Sequence, residues 1–265
     1  MIYGDYVTDE VLWGKRTWCE VRDSISKLDA VILPVGSCEQ HGPHMPLDTD
    51  AFIAYELSKL IAIRLMELGH LVYVLPPINY GLSEMWSMNE GTVTVDADAF
   101  MSYVKSVLKS VIKQGVGIVI ILNGHAGNFD ALKLVAREIT NELGKGRVYV
   151  LNWWDLVGDY ISKISSTPFF HADEVETSVA MYLRQRVIVS KARSESIKRK
   201  YSEEWHSLDL TKRPKVHRYE CELRKYEVGA FGHPERASVE KGEALVKEFI
   251  RRFVKLFKDI TEGKF

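Results

Sequence analysis

The apolar positions of this chain change period along its first 150 residues. Ala30-Val-Ile-Leu-Pro-Val35 is an unbroken apolar run closed by Gly36, the pattern of a strand buried on both faces. Across residues 51–68 the apolar positions instead recur at threes and fours, which predicts a helix packed on a sheet. Asp48-Thr49-Asp50 stand just ahead of it and offer capping side chains. Leu71–Leu75 predicts a second strand, stopped by Pro76-Pro77. A helix from about Ala97 to Gln114, a strand over Gly117–Leu122, a helix over about 129–143 and a strand over Arg147–Leu151 complete the alternation. Strands separated by helices of this length predict parallel βαβ units, hence an α/β fold with three α/β/α layers and a mostly parallel central sheet.

Beyond Leu183 the pattern changes. Residues 190–227 carry many Lys, Arg and Glu with few apolar positions, which predicts an exposed excursion or a contact surface. The C-terminal stretch is an amphipathic helix whose Phe249, Ile250, Phe253 and Phe257 are expected to pack on the core. With no repeat, low-complexity tract or flexible linker, one domain over 1–265 is the economical expectation.

Composition narrows the classes. Thirty-five Lys and Arg face 36 Asp and Glu in 265 residues, a net charge of −1, which gives no general attraction to nucleic acid or an anionic membrane. No apolar run reaches membrane-spanning length, and the start lacks the basic and apolar parts of a secretion signal. Cys19, Cys38 and Cys221 are odd in number and without CxxC spacing, which suits a reducing cytoplasm better than a disulfide framework.

Candidate chemistry gathers at the carboxyl ends of the predicted strands, where open parallel sheets bind ligands. The first strand runs into GSCEQHGPHMPLDTD over 36–50. Glu39 and His41 share a side in extended chain, and Gly42, Pro43 and Pro46 turn the loop so that Asp48 or Asp50 approaches them. A Glu, a His and an Asp form a nitrogen–oxygen site for a divalent metal. The third strand ends in NGHAGN over 123–128, presenting His125 between flexible glycines. A third cluster, HADEVETS over 171–178, opens a helical segment. Its Asp173, Glu174 and Glu176 suit a helix N-terminus, and His171 and Glu176 could both face a pocket there.

These clusters, with GLSEMWSMNEGT over 81–92 and GAFGHPERASVEKG over 229–242, resemble in order the motifs of the creatininase family of metal-dependent amidohydrolases. The likeness runs from about residue 30 to the C-terminal helix. It implies two divalent ions per subunit, of zinc, manganese or iron, with Glu39 on one ion, His41 on the other, Asp50 bridging and His125 completing the first shell. Creatininase itself has an acidic ligand two residues after the His125 position, where this chain has Gly127. Geometry and the need for charge then point to Glu176, or alternatively Glu174, as the missing ligand. His171 matches the family's proposed general acid. Ser83 matches a serine that contacts substrate, while His44 and Asp48 flank the bridge residue and could orient ligands by hydrogen bonds, as could Glu174.

The sequence departs from the family pattern around the pocket. Met85-Trp86 replace Glu-His, and Asn89-Glu90 replace Phe-Pro. Trp86 and Trp154 are candidates for stacking on a flat substrate, against the alternative that they only pack. The resemblance implies a hydrolase of a non-peptide C–N amide bond in a small cyclic or heterocyclic molecule, and a closed homo-oligomer such as a hexamer. Other branches of the family are open: a formamidopyrimidine-nucleotide deformylase and a peptidase of redox-cofactor maturation. So is a non-catalytic, metal-stabilised scaffold or binding subunit.

Overall fold

Four parallel strands form the sheet, in the order β2-β1-β3-β4. They are β1 (Ala30–Val35), β2 (Val72–Val74), β3 (Ile118–Asn123) and β4 (Arg147–Asn152). The computed structural model describes residues 9–196, 204–205, 207–217 and 223–264. His206, Cys221 and parts of the charged 190–227 stretch lie outside the described residues. Register is set by pairs such as Val31↔Tyr73, Ile32↔Ile120 and Val119↔Val148. The central strands are buried along their whole length, as their unbroken apolar runs require. Pro34 is tolerated in central β1 because β2 stops at Val74; beyond that point the Pro34 carbonyl accepts the Ile78 amide at 3.0 Å.

Alternate strand residues feed two separate cores. Ala30, Ile32, Ile118, Ile120 and Leu122 pack with α2 (Thr49–Glu67), α6 (Glu174–Tyr182) and α7 (Val239–Thr261). Val31, Leu33, Val35, Val119 and Ile121 face α3 (Ala97–Lys113) and α4 (Phe129–Leu143). Two short helices, α1 (Trp18–Ser24) and α5 (Gly158–Ile164), complete the set among the described residues. The expected three layers and parallel sheet are therefore present, with element ends within about two residues of the expected ones.

Local chemistry explains several of those ends. Thr17 and Glu20 form a capping box on α1. Helix α4 ends on Gly144 in the left-handed region, φ 60°, where glycine carries no Cβ penalty. In α7, Phe249, Phe253 and Phe257 are all buried, with Ile250 packed beside them, each phenylalanine contributing about 1.5–3 kcal/mol by leaving water.

Two expectations change. No side chain caps α2: Asp48 is exposed and accepts from Gln185 Nε2 at 3.0 Å, while Thr49 Oγ1 turns back to the Pro46 carbonyl. The charged stretch is also not wholly an exposed excursion. Leu210 donates its amide to the Phe169 carbonyl, and the Glu195 carboxylate accepts the Val228 and Gly229 amides. Few apolar residues suffice to seat such a segment when its backbone polar groups find partners in the core.

The strand order places a switch point between β1 and β3. From β1 the chain moves outward to β2, then returns on the other side of β1 to β3. The crevice beyond the carboxyl ends of β1 and β3 is where a sheet of this kind binds ligands.

Candidate metal centre

The loop after β1 delivers Glu39 and His41 into that crevice, the first turn of α2 delivers Asp50, and the end of β3 delivers His125. His171 and Glu176 come from the far side, at the start of α6. None of the six is more than 6% exposed. Glycines allow the close approach: a Cβ on Gly124 would stand 2.2 Å from the Asp50 carbonyl oxygen, and one on Gly36 would stand 2.2 Å from the Ala51 amide nitrogen.

Three overlapping groups have ligand atoms within 4.8 Å of one another: Glu39, Asp50 and His125; His41, Asp50 and Glu176; and Glu39, His41 and His171. Asp50 is common to the first two. Its Oδ1 lies 3.0 Å from His41 Nε2 and its Oδ2 lies 3.1 Å from His125 Nδ1. His125 Nδ1 is also 3.3 Å from Glu39 Oε1, and His171 Nδ1 is 3.6 Å from the same oxygen.

Each histidine is held by its other nitrogen. His41 Nδ1–H donates to the Glu39 carbonyl at 3.1 Å, His125 Nε2–H to the Leu82 carbonyl at 2.8 Å, and His171 Nε2–H to the Gln40 carbonyl at 3.0 Å. Anchored imidazoles whose free nitrogens converge on carboxylates are the arrangement that metal-binding histidines adopt. Among buried polar atoms, Glu39 Oε1 and Asp50 Oδ2 have no hydrogen-bond donor. Two carboxylate oxygens without donors are costly to bury; divalent cations would satisfy them, so these residues fit the metal that the motifs imply.

The electrostatics agree. Burial opposes protonation of His41, but the Asp50 carboxylate overrides it and raises the imidazole pKa to about 10. His125 is likewise raised, against its burial, by Glu39 and Asp50. Glu176 is pushed up to about 8 by burial first. Without ions the cluster therefore holds protons where cations would sit. His171 is pushed well below the usual histidine range, by burial and then by the His41 charge.

Not every expected residue has the expected place. The Ser83 hydroxyl donates to the Glu39 carboxylate and Ser83 is fully buried, so it steadies that carboxylate. The Trp86 indole stacks on the His171 ring, centroids 4.2 Å apart and planes 15° apart, with Tyr226 at 5.0 Å, and it also lines the crevice. Trp154 packs edge-on against Trp153 and also against Phe169 while reaching the crevice.

Glu174 points away, paired with Lys241 and accepting the Ser166 amide at 2.9 Å. One residue of helix separates it from each neighbour by about 100°, so Glu174 and Glu176 cannot share a direction, and it is Glu176 that reaches the cluster. His44 bonds Thr177 Oγ1 at 2.9 Å, bracing the β1 loop against α6 without touching a cluster residue. Asp48 remains on the surface. Gln40 went unnoticed in the sequence, although it lies between two cluster residues: its amide nitrogen donates to the Gly229 carbonyl at 2.9 Å and lies 3.0 Å from His171 Nε2.

Comparison with known proteins follows this geometry. The family model described as "Creatininase: Creatinine amidohydrolase" matches residues 14–257. The chain belongs to the creatininase family. It is 28% identical to the 3-dehydro-scyllo-inosose hydrolase of Thermotoga maritima, over 95% of this chain and 84% of that protein. It is 32% identical to the mycofactocin precursor peptide peptidase of Mycobacterium ulcerans, over 61% of each, and 27% identical to the creatinine amidohydrolase of Pseudomonas putida, over 58% of this chain and 61% of that one. A crystal structure of creatinine amidohydrolase shares the fold, with a TM-score of 0.80 at 22% identity over 95% of this chain and 98% of that one. The creatininase structure titled "Creatininase Mn" gives 0.77 at 23% identity, over 95% and 99%. The protein is thus a creatininase-family amidohydrolase whose candidate metal ligands gather in the crevice beyond β1 and β3.

Proposed function

We propose that this protein hydrolyses a non-peptide C–N amide bond in a small cyclic or heterocyclic molecule, using two divalent ions per subunit, of which zinc is our first choice and manganese or iron the alternatives. Asp50 carries the proposal: each of its oxygens faces one of two ligand sets, Glu39 with His125 and His41 with Glu176. Two divalent ions held by these residues would supply Lewis acidity at a carbonyl and an activated water at neutral pH.

The remaining work falls to the chain. Glu39, Asp50 and Glu176 provide the negative charge that retains the ions. His171 Nδ1 faces the cluster, and because its Nε2–H is given to the Gln40 carbonyl, Nδ1 is the nitrogen free to exchange a proton. It could take a proton at Nδ1 from the attacking water and deliver it to the leaving nitrogen, which an amide needs because its nitrogen departs poorly as an anion. Met85, Trp154, Phe170 and Leu210 supply apolar walls. The crevice they line is about 50 Å³.

The assay compares creatinine, a formamidopyrimidine nucleotide and short peptides on zinc-loaded protein. Hydrolysis of the cyclic amide supports the proposal. Turnover of peptide alone would move the protein to the peptidase reading, and stoichiometric zinc without turnover of any amide would favour a scaffold. A homo-oligomer in a reducing cytoplasm completes the reading. Leu47, Tyr80 and Val93 are apolar and exposed, and light scattering tests whether the chain self-associates.

A further inference from the structure

The four departures from the family pattern in residues 81–92 do not act separately. Met85 lines the crevice, Trp86 stacks on His171, Asn89 binds the backbone of Tyr226, and Glu90 pairs with Lys225. Three of them thus engage either His171 or the segment over 223–231 that runs beside it.

Asn89 makes the firmest of these links. Its Nδ2 donates to the Tyr226 carbonyl at 2.9 Å and its Oδ1 accepts the Tyr226 amide at 3.1 Å, so one carboxamide satisfies both backbone groups of that residue. The Tyr226 ring then lies 5.0 Å from the Trp86 indole, at 56°. Trp86 in turn covers one face of His171. Downstream, the same segment meets His171 directly once, where the Phe231 amide donates to the His171 carbonyl at 3.0 Å, and indirectly once, where the Gly229 carbonyl accepts from Gln40, whose side-chain nitrogen lies 3.0 Å from His171 Nε2.

We infer that Asn89 is a positioning residue, which holds the His171 imidazole in its working orientation through Tyr226 and Trp86. The inference rests on the role proposed for His171. A histidine ring turns about two side-chain bonds; the hydrogen bond at Nε2 fixes one end, and a flat partner on its face limits the swing of Nδ1. Positioning of this kind matters because a displacement of about 1 Å at the reacting atom can lower a rate by roughly 100-fold. Asn89 itself touches no cluster residue, and Glu90–Lys225 is an exposed pair that contributes little.

The test uses zinc-loaded protein and two readouts. The first, independent of turnover, is the rate at which diethylpyrocarbonate acylates His171, followed by mass spectrometry of its peptide. The second is kcat and KM on the amide that wild type hydrolyses. Asn89→Ala and Tyr226→Leu break the relay at different links, and both are expected to acylate His171 several-fold faster and to lower kcat about tenfold at little-changed KM and unchanged zinc content. Glu90→Ala is expected to match wild type in both. If both relay variants acylate at the wild-type rate, or acylate faster yet keep full kcat, Asn89 positions nothing. Wild type that hydrolyses no amide would end the hydrolase reading, and the acylation rates would still decide whether Asn89 holds the ring.

Discussion

Replacing Gly127 with alanine probes how the cluster is held. The added methyl would stand 2.4 Å from the Leu82 carbonyl oxygen and 2.6 Å from His125 Nε2. Those two atoms are the partners of a 2.8 Å hydrogen bond, so the methyl forms a wedge between them. Relief of the contact needs a shift of about 1 Å, enough to break the bond. The lost hydrogen bond costs about 1 kcal/mol and overpacking about 1–3 kcal/mol, so metal-free protein should lose roughly 2–4 kcal/mol of stability. Once its anchor is gone, His125 Nδ1 is free to turn from Glu39 and Asp50. Loss of such an outer partner lowers metal affinity about 10–100-fold. Zinc competition against a chromogenic chelator, alongside thermal unfolding, measures both effects. Gly117→Ala is the control, since a Cβ there meets nothing within 4 Å. Wild-type zinc affinity in Gly127→Ala would refute the reasoning.

Three further outcomes are expected. His125→Ala should lose metal, whereas His171→Ala should keep it and lose roughly 100-fold or more in kcat; metal analysis beside steady-state kinetics separates the two. Glu176→Gln should lower zinc from two ions per chain toward one, read by mass spectrometry under native conditions, and a full complement would remove Glu176 from the ligands. The third concerns pH. The His41 pKa is raised in the fold to about 10, so its contribution to stability is complete below about 6.5 and is lost as pH rises toward 10. Glu176, raised to about 8, shifts stability in the same direction from about 4.5 upward. Metal-free protein should therefore melt at lower temperature as pH climbs from about 6.5 to 9.5, while zinc, which needs deprotonated ligands, should stabilise more over that range. A flat profile for the metal-free protein would contradict the assigned shifts.

Much of this could be seen in the residue pattern. The strands are short apolar runs and the helices carry period-3.6 stripes because each must bury particular faces, a requirement that is local and survives in one dimension. Glu39, His41, Asp50 and His125 were visible because the chain carries them to strand ends or to the helix start beside one, where side chains cannot satisfy each other within the strand. Glu176 was visible only as one of two acids.

What stayed hidden depends on direction and on distant partners. Nothing in HADEVETS states that Glu174 turns to Lys241 while Glu176 turns inward; the seating of α6 against α7 decides it. Nor does the sequence around Ser83 and Trp86 state that packing brings the hydroxyl to Glu39 and one face of the indole to His171. The Gln40 side-chain nitrogen meets partners 131 and 189 positions away. The sequence by itself determined the layers, the parallel sheet and the kind of atoms at its edge. Only the tertiary structure decided which of those atoms meet, because a contact energy falls off within a few ångströms while the residues that share it are far apart along the chain.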